Sequence, residues 1–146
     1  MQIKVVAVGR VKERGLRMLI DDYAGRIGRY ARYQETELRD AKAGELTMRF
    51  RKVIPDRSLV VALEVNGRQM SSPKLAQYVE RAQVNAVQTL VFLIGGAYGL
   101  PEQISREADL QLSLSDMTLP HRLARLVLVE QIYRAFTILR GEPYSH

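Results

Sequence analysis

Between Thr89 and Ile94 the chain reads Thr-Leu-Val-Phe-Leu-Ile, its most apolar run, and three glycines follow at once, Gly95, Gly96 and Gly99. An apolar run this short, cut off by glycine, predicts a strand buried on both faces. Such a strand belongs in a parallel sheet covered by helices on each side. A second segment, Leu112 to His121, sets Leu112 and Leu114 against Ser113 and Ser115 as a short strand would, then stops at Pro120 before a long apolar stretch. Two strand-to-helix loops at the ends of neighbouring strands are where open α/β sheets hold ligands. The plainer alternative is a tight turn in which the glycines only relieve strain. Phosphate fingerprints do not fit either way. No Gly-Lys-Ser/Thr follows the glycines, and the first strand leads into Gly9-Arg10 with no further glycine. A ligand here would be held by backbone groups, without a phosphate cradle.

The rest of the chain agrees with that class. Residues 2–8 read as a central strand, and a helix follows from about Glu13 to Arg32, carrying Leu16, Leu19, Ile20, Tyr23 and Ile27 on one face. Gly25 and Gly28 weaken its second half. Thr36 to Leu38 is a weak strand, Ala43 to Ile54 a helix stopped by Pro55, and Leu59 to Leu63 a third buried strand. Asn66-Gly67 marks a turn. Ser72-Pro73 opens a helix bearing Leu75, Tyr78, Val79 and Ala82, and a short helix is expected near Pro101 to Glu107. The last helix begins at Pro120 and ends before Gly141. The expectation is a single α/β domain over 1–146 with a parallel sheet.

Charge narrows the partner. Residues 1–57 hold 14 Lys and Arg against 8 Asp and Glu, and the remainder holds 8 against 8, so the net +6 lies entirely in the first part. Most of that excess is arginine, whose planar fork of donors suits phosphate oxygens. A polyanionic partner fits, and so does a solvated surface with acids such as Asp21 and Asp22 alongside. There is no cysteine and only two histidines, which excludes thiolate and ordinary zinc sites, so no metal is expected. No run is long enough for a signal core or a membrane span, which makes the cytoplasm the expected compartment.

The last helix is apolar nearly all round, from Leu123 through Leu126, Val127, Leu128, Val129, Ile132, Tyr133, Phe136 and Ile138 to Leu139. A helix of that kind is buried on more than one side. In a domain this small, one face can take the sheet and another a second copy, so a homodimer is expected. Glu130 and Arg134, four apart, suit a helix ion pair. His121, at the helix start, is either a base or orienting group or a residue bonded to the backbone. Adjacent Ser115 and Asp116 with His121 do not converge as a triad would, so a hydrolase is a poor reading.

Four motifs in order carry a resemblance: Leu-Ile-Gly-Gly-x-x-Gly-Leu, Leu-Ser-x-x-Thr-Leu-Pro-His, Val-Glu-Gln-Ile-Tyr-Arg-Ala and a terminal Pro-Tyr. Together with Val5-Val6-Ala7-Val8-Gly9, they resemble the ribosomal RNA large subunit methyltransferase H family over nearly the whole chain. That family belongs to the knotted SPOUT methyltransferase superfamily. The resemblance implies a C-terminal deep trefoil knot, a homodimer, and S-adenosylmethionine as cofactor. It implies 23S ribosomal RNA in the ribosome as substrate, methylated at N3 of a pseudouridine in the helix-69 loop. Cofactor contacts are implied at Leu63, Gly95, Leu114, Ser115, Asp116, Met117, Thr118 and Leu119. Catalytic roles are implied for Arg134, facing the cleft near the partner copy, and for Tyr144, with His121 and His146 as further candidates. The family's tail reads Pro-Tyr-His and then a basic residue. Here Ser145 stands in the histidine's place and His146 follows it, which leaves the roles of these two positions open. Two rival readings are a transfer RNA methyltransferase of the same superfamily and a ribosome-binding protein without catalysis.

Overall fold

Side chains alternate across a strand, so a strand buried on both faces must supply two separate cores. β1 (Gln2–Val8) and β4 (Thr89–Ile94) do so in this computed structural model, which describes residues 1–144. Ile3, Val5 and Ala7 with Leu90, Phe92 and Ile94 face one cluster, while Val6 and Val8 with Val91 and Leu93 face the other. The first core is closed by α1 (Arg14–Ile27), α3 (Ser72–Val84) and α5 (His121–Leu139), and α5 packs against both α1 and α3. The second is closed by α2 (Ala43–Val53) and α4 (Glu102–Glu107), through Leu46, Phe50 and Ile104.

With β2 (Arg32–Leu38), β3 (Leu59–Gln69) and β5 (Leu110–Ser113), the strands form one five-stranded parallel sheet in the order β2-β1-β4-β3-β5. The carboxyl ends of β1, β2 and β4 lie level, with Val8 opposite Leu38 and Ala7 opposite Ile94. All the loops that leave this edge therefore share one end of the molecule.

Four local readings change. α1 stops at Ile27, capped by Gly28, so that Arg32 and Tyr33 start β2 four residues before Thr36. Leu19, expected on the buried face of α1, is 49% exposed. Asn66-Gly67 makes no chain reversal. β3 pairs with β5 at Val61 to Leu63, bulges out over residues 64–67, and pairs again at Arg68 and Gln69. Gly67 permits this, because a Cβ there would lie 2.7 Å from the Gln111 carbonyl. Finally, the cap of α3 is Ser71, whose side chain accepts from the Lys74 amide at 3.2 Å.

Lys4 stands out inside the apolar β1. It is buried, and its Nζ donates to the Val53 carbonyl at 2.6 Å, satisfying the last turn of α2. Burial lowers its pKa.

Candidate active site

β3, β4 and β5 end on one cavity of about 520 Å³, within the range of small-molecule sites. Its walls are the β3 bulge from Leu63 to Asn66, the glycine loop, and the stretch from Leu114 to the first turn of α5. Each wall has a local cause. The glycine loop folds back on itself through a bridge between Gly96 and Gly99, with Gly99 at φ 81°. A Cβ on Gly95 would lie 2.3 Å from the Gly99 carbonyl carbon and 2.5 Å from the Leu100 amide nitrogen. Gly95 is thus required by the loop's own backbone, before any ligand is considered. In the third wall, Ser113 Oγ donates to the Ser115 carbonyl at 3.0 Å, and Ser115 Oγ accepts from the Met117 amide at 3.0 Å. These two bonds hold the loop in shape from within.

Seven of the eight residues expected to contact a cofactor line this cavity: Leu63, Gly95, Leu114, Ser115, Met117, Thr118 and Leu119. Asp116 does not line it; its carboxylate accepts from Gln69 Nε2. His121 does. Among the described residues the lining includes no lysine or arginine, and Glu64 is its one carboxylate. Burial raises the pKa of Glu64. A cleft with apolar walls, backbone donors and acceptors, a carboxylate and, among the described residues, no lysine or arginine suits a purine attached to a positively charged sulfur.

Arg134 and Tyr144 lie elsewhere, against the C-terminal half of α5. Arg134 pairs with Glu130 at 2.8 Å, as their spacing predicts, and its guanidinium sits 5.0 Å from the Tyr144 ring centre. The Tyr144 hydroxyl donates to Glu130 Oε2 at 2.8 Å and is hydrogen-bonded to the Tyr23 hydroxyl at 3.2 Å. Tyr133 meets the Tyr144 ring edge-on at 4.6 Å. Burial first, and then these partners, push the Tyr144 hydroxyl well above its ordinary pKa. It is a donor at neutral pH and a poor base. His146 and Ser145 lie outside the described residues.

Whether this cleft belongs to a known kind of enzyme is decided by comparison. The family model described as a predicted SPOUT methyltransferase matches residues 1–146. The chain is 49% identical to a ribosomal RNA large subunit methyltransferase H from Sorangium cellulosum, over the full length of both. It is 44% identical to the protein of that name from Geobacter sulfurreducens, also over both full lengths. It belongs to the ribosomal RNA large subunit methyltransferase H family.

SPOUT methyltransferases use S-adenosylmethionine, and the donor set of the cleft fits that group. Among solved structures, a probable methylase from Haemophilus influenzae superposes with a TM-score of 0.57 at 13% identity, covering 98% of this chain and 68% of that one. The SpoU methyltransferase AviRb from Streptomyces viridochromogenes, solved with AdoMet, gives 0.50 at 15% identity over 90% of this chain and 56% of that one. Both likenesses speak for a SPOUT-type fold.

Two parts of this methyltransferase escaped the sequence reading. Glu64, Val65 and Asn66 line the cleft because β3 continues past its bulge, whereas a turn would have led them away. Glu130 was read as the partner of Arg134 alone, yet it also receives Tyr144. The helical spacing showed the first contact, and only the folded tail shows the second. Among the described residues, no group of three or more His, Cys, Asp or Glu is placed to hold a metal ion, and no helix is long and apolar enough to cross a membrane.

Proposed function

We propose that residues 1–146 form one knotted SPOUT domain that acts as a cytoplasmic homodimer. On this reading it methylates N3 of a pseudouridine in the helix-69 loop of 23S ribosomal RNA, within the ribosome. The observation that carries the reading is the cleft at the ends of β3, β4 and β5, whose described lining has no lysine or arginine. Leu63, Gly95 and Leu114 to Leu119 would hold S-adenosylmethionine there, with Asp116 bracing its loop from outside through Gln69. The bound cofactor supplies an electrophilic methyl group. The chain's own task is to align the accepting nitrogen with that methyl and to exclude water, and such positioning removes about 7–11 kcal/mol in favourable cases.

The dimer is supported by a distance. His121 and Arg134 are thirteen residues apart on one helix, so about 20 Å separates them along its axis. No single nucleobase spans that gap within one chain. A second copy laid against α5 would bring its Arg134 and Tyr144 to this cleft. Arg134 would then meet RNA phosphate or the developing charge on the base, and Tyr144 would orient through its hydroxyl. Proton loss from N3 would fall to an imidazole, His121 or His146, or to the RNA itself. The knot proposal places α5 through the loop made by the two segments after β4 and β5. Its packing between α1 and α3 agrees with that path.

The test uses the full chain. Calorimetry should give one S-adenosylmethionine site per chain, sedimentation a mass near twice 16.6 kDa, and labelled-methyl transfer to ribosomes a single N3-methylated pseudouridine. Transfer to transfer RNA and not to ribosomes would favour the related tRNA reading. Ribosome binding without cofactor binding would leave only a binding protein.

A further inference from the structure

The glycine loop has a second side. Opposite the cofactor cleft lies another cavity, of about 570 Å³, which shares Gly96, Gly99 and Leu100 with the first and is otherwise walled by the β2–α2 segment and Pro101. Tyr98 stands on its rim with 97% of its surface exposed, the one aromatic among the exposed large apolar residues that are described. Its ring is not part of the aromatic cluster that holds Tyr23, Tyr30, Tyr133 and Tyr144.

Lys42 lines the cavity with Tyr98, and the edge of the sheet from which it comes is basic. Arg39 and Lys42 are exposed in the segment after β2, and Arg10 in the segment after β1, all leaving the same carboxyl edge. None of the three is in an ion pair among the described residues, unlike Arg49, which is held by Glu45 at 2.6 Å. Asp40 also lines the cavity; one of its carboxylate oxygens accepts from the Ala41 amide at 2.8 Å, which leaves the other to accept. An aromatic face with no ring partner among the described residues, cations on the same edge and a spare acceptor match the three parts of an unpaired nucleotide: base, phosphate and 2′-hydroxyl.

We propose that this second cavity is a subsite for one unpaired nucleotide of the RNA, next to the one that is methylated. Its base stacks on Tyr98, its phosphate meets Lys42 and Arg39, and its ribose hydroxyl donates to Asp40. The proposal rests on the reading of the chain as an RNA methyltransferase. Because the two cavities are separated by one loop, a nucleotide held here fixes its neighbour within reach of the cofactor cleft. Tyr98 is in this sense a positioning residue, and its effect falls on RNA engagement.

The test compares the parent chain with Tyr98→Ala, Tyr98→Phe and Lys42→Ala, using ribosomes and a fluorescent single-stranded oligouridylate as probes. Tyr98→Ala should raise KM for ribosomes roughly ten-fold and weaken oligouridylate binding similarly, the usual loss for one stacked base. Tyr98→Phe should stay near the parent. S-adenosylmethionine affinity should not move in any variant, which also reports that each is folded. Lys42→Ala should lower the salt slope of oligouridylate binding by about one phosphate contact. Parent values of KM and oligouridylate affinity in Tyr98→Ala would overturn the subsite. A shift of its sedimentation mass toward the monomer would overturn it too, by showing that a second copy covers this rim. If the parent fails to methylate ribosomes, the function reading falls, while Tyr98-dependent oligouridylate binding would still uphold the subsite.

Discussion

Glu64 illustrates how one misplaced turn hides a functional group. An Asn-Gly pair two residues downstream signals a reversal, and a reversal would have carried the carboxylate away from the sheet edge. The bulge instead leaves it in the cleft, half-buried, with its pKa raised by burial. Two opposed pH dependences follow. Its folded-state pKa lies above the unfolded one, so its contribution to the cofactor-free chain is fully present below the unfolded pKa and is lost as the pH rises through the folded one. Cofactor affinity runs the other way, since only the ionised carboxylate attracts a cation. Calorimetry at falling pH should therefore show S-adenosylmethionine binding weaken through the Glu64 titration while the melting temperature of the empty chain gains from this group. Glu64→Gln should flatten both trends and weaken binding at neutral pH about ten-fold, at the lower end of a hydrogen bond to a charged group, about 1.5–3 kcal/mol. An unchanged affinity in that variant would place the cofactor's charge elsewhere.

At the level of elements, the alternation of strands and helices was legible because β1, β3 and β4 are apolar and the helices are punctuated by glycine and proline. β2 was only half legible. Glu35, partly buried, and Glu37, more exposed, alternate along it with Tyr33, and two carboxylates in so short a run look like a loop until their partners are known. Arg125 of α5, only 3% exposed, pairs with Glu35 and, at 2.7 Å, with Glu37. Arg17 of α1 reaches Glu35 at 3.2 Å as well. Arg125 is about ninety residues away in sequence, beyond any local pattern. Strand order was hidden for the same reason, being decided by which helices cover which face. The network ties the edge strand to the helix whose first turn lines the cleft. Removing the buried Arg125 deprives the partly buried Glu35 of its nearest cation, and breaking a fully buried pair typically costs about 3–5 kcal/mol. Arg125→Met should lose about 3 kcal/mol in urea titration, the low end because Arg17 remains. Adding Glu35→Gln and Glu37→Gln should restore much of that loss. A stable single variant would show that the network contributes little.

For the whole molecule, the basic excess of the first 57 residues is partly consumed internally. Arg26 is paired with Asp22 at 3.1 Å and lies over the Tyr23 and Tyr133 rings, while Arg17 serves the buried network. Charge counted along the chain could not separate these from Arg29 and Arg32, which are exposed and in no described ion pair. Neutralising Arg29 and Arg32 together should weaken ribosome binding and reduce the salt slope by up to about two phosphate contacts, with cofactor affinity unchanged. Neutralising Arg26 should instead lower stability, through its rings and its acid. An unaltered salt slope in the double variant would move the RNA off this face.

The length of α5 has a genetic consequence. Its first turn lines the cleft, and its far end carries Arg134 and Glu130 against Tyr144. If each working centre joins the head of one copy to the far end of another, two inactive alleles can rescue each other. Gly95→Val destroys the head, and Arg134→Ala the far end, so either homodimer is silent. A mixed dimer carries one doubly damaged centre and one undamaged, and coexpression should recover about a quarter of the parent's activity when the two chains pair at random. A chain that served its own cleft would show no such rescue at any ratio.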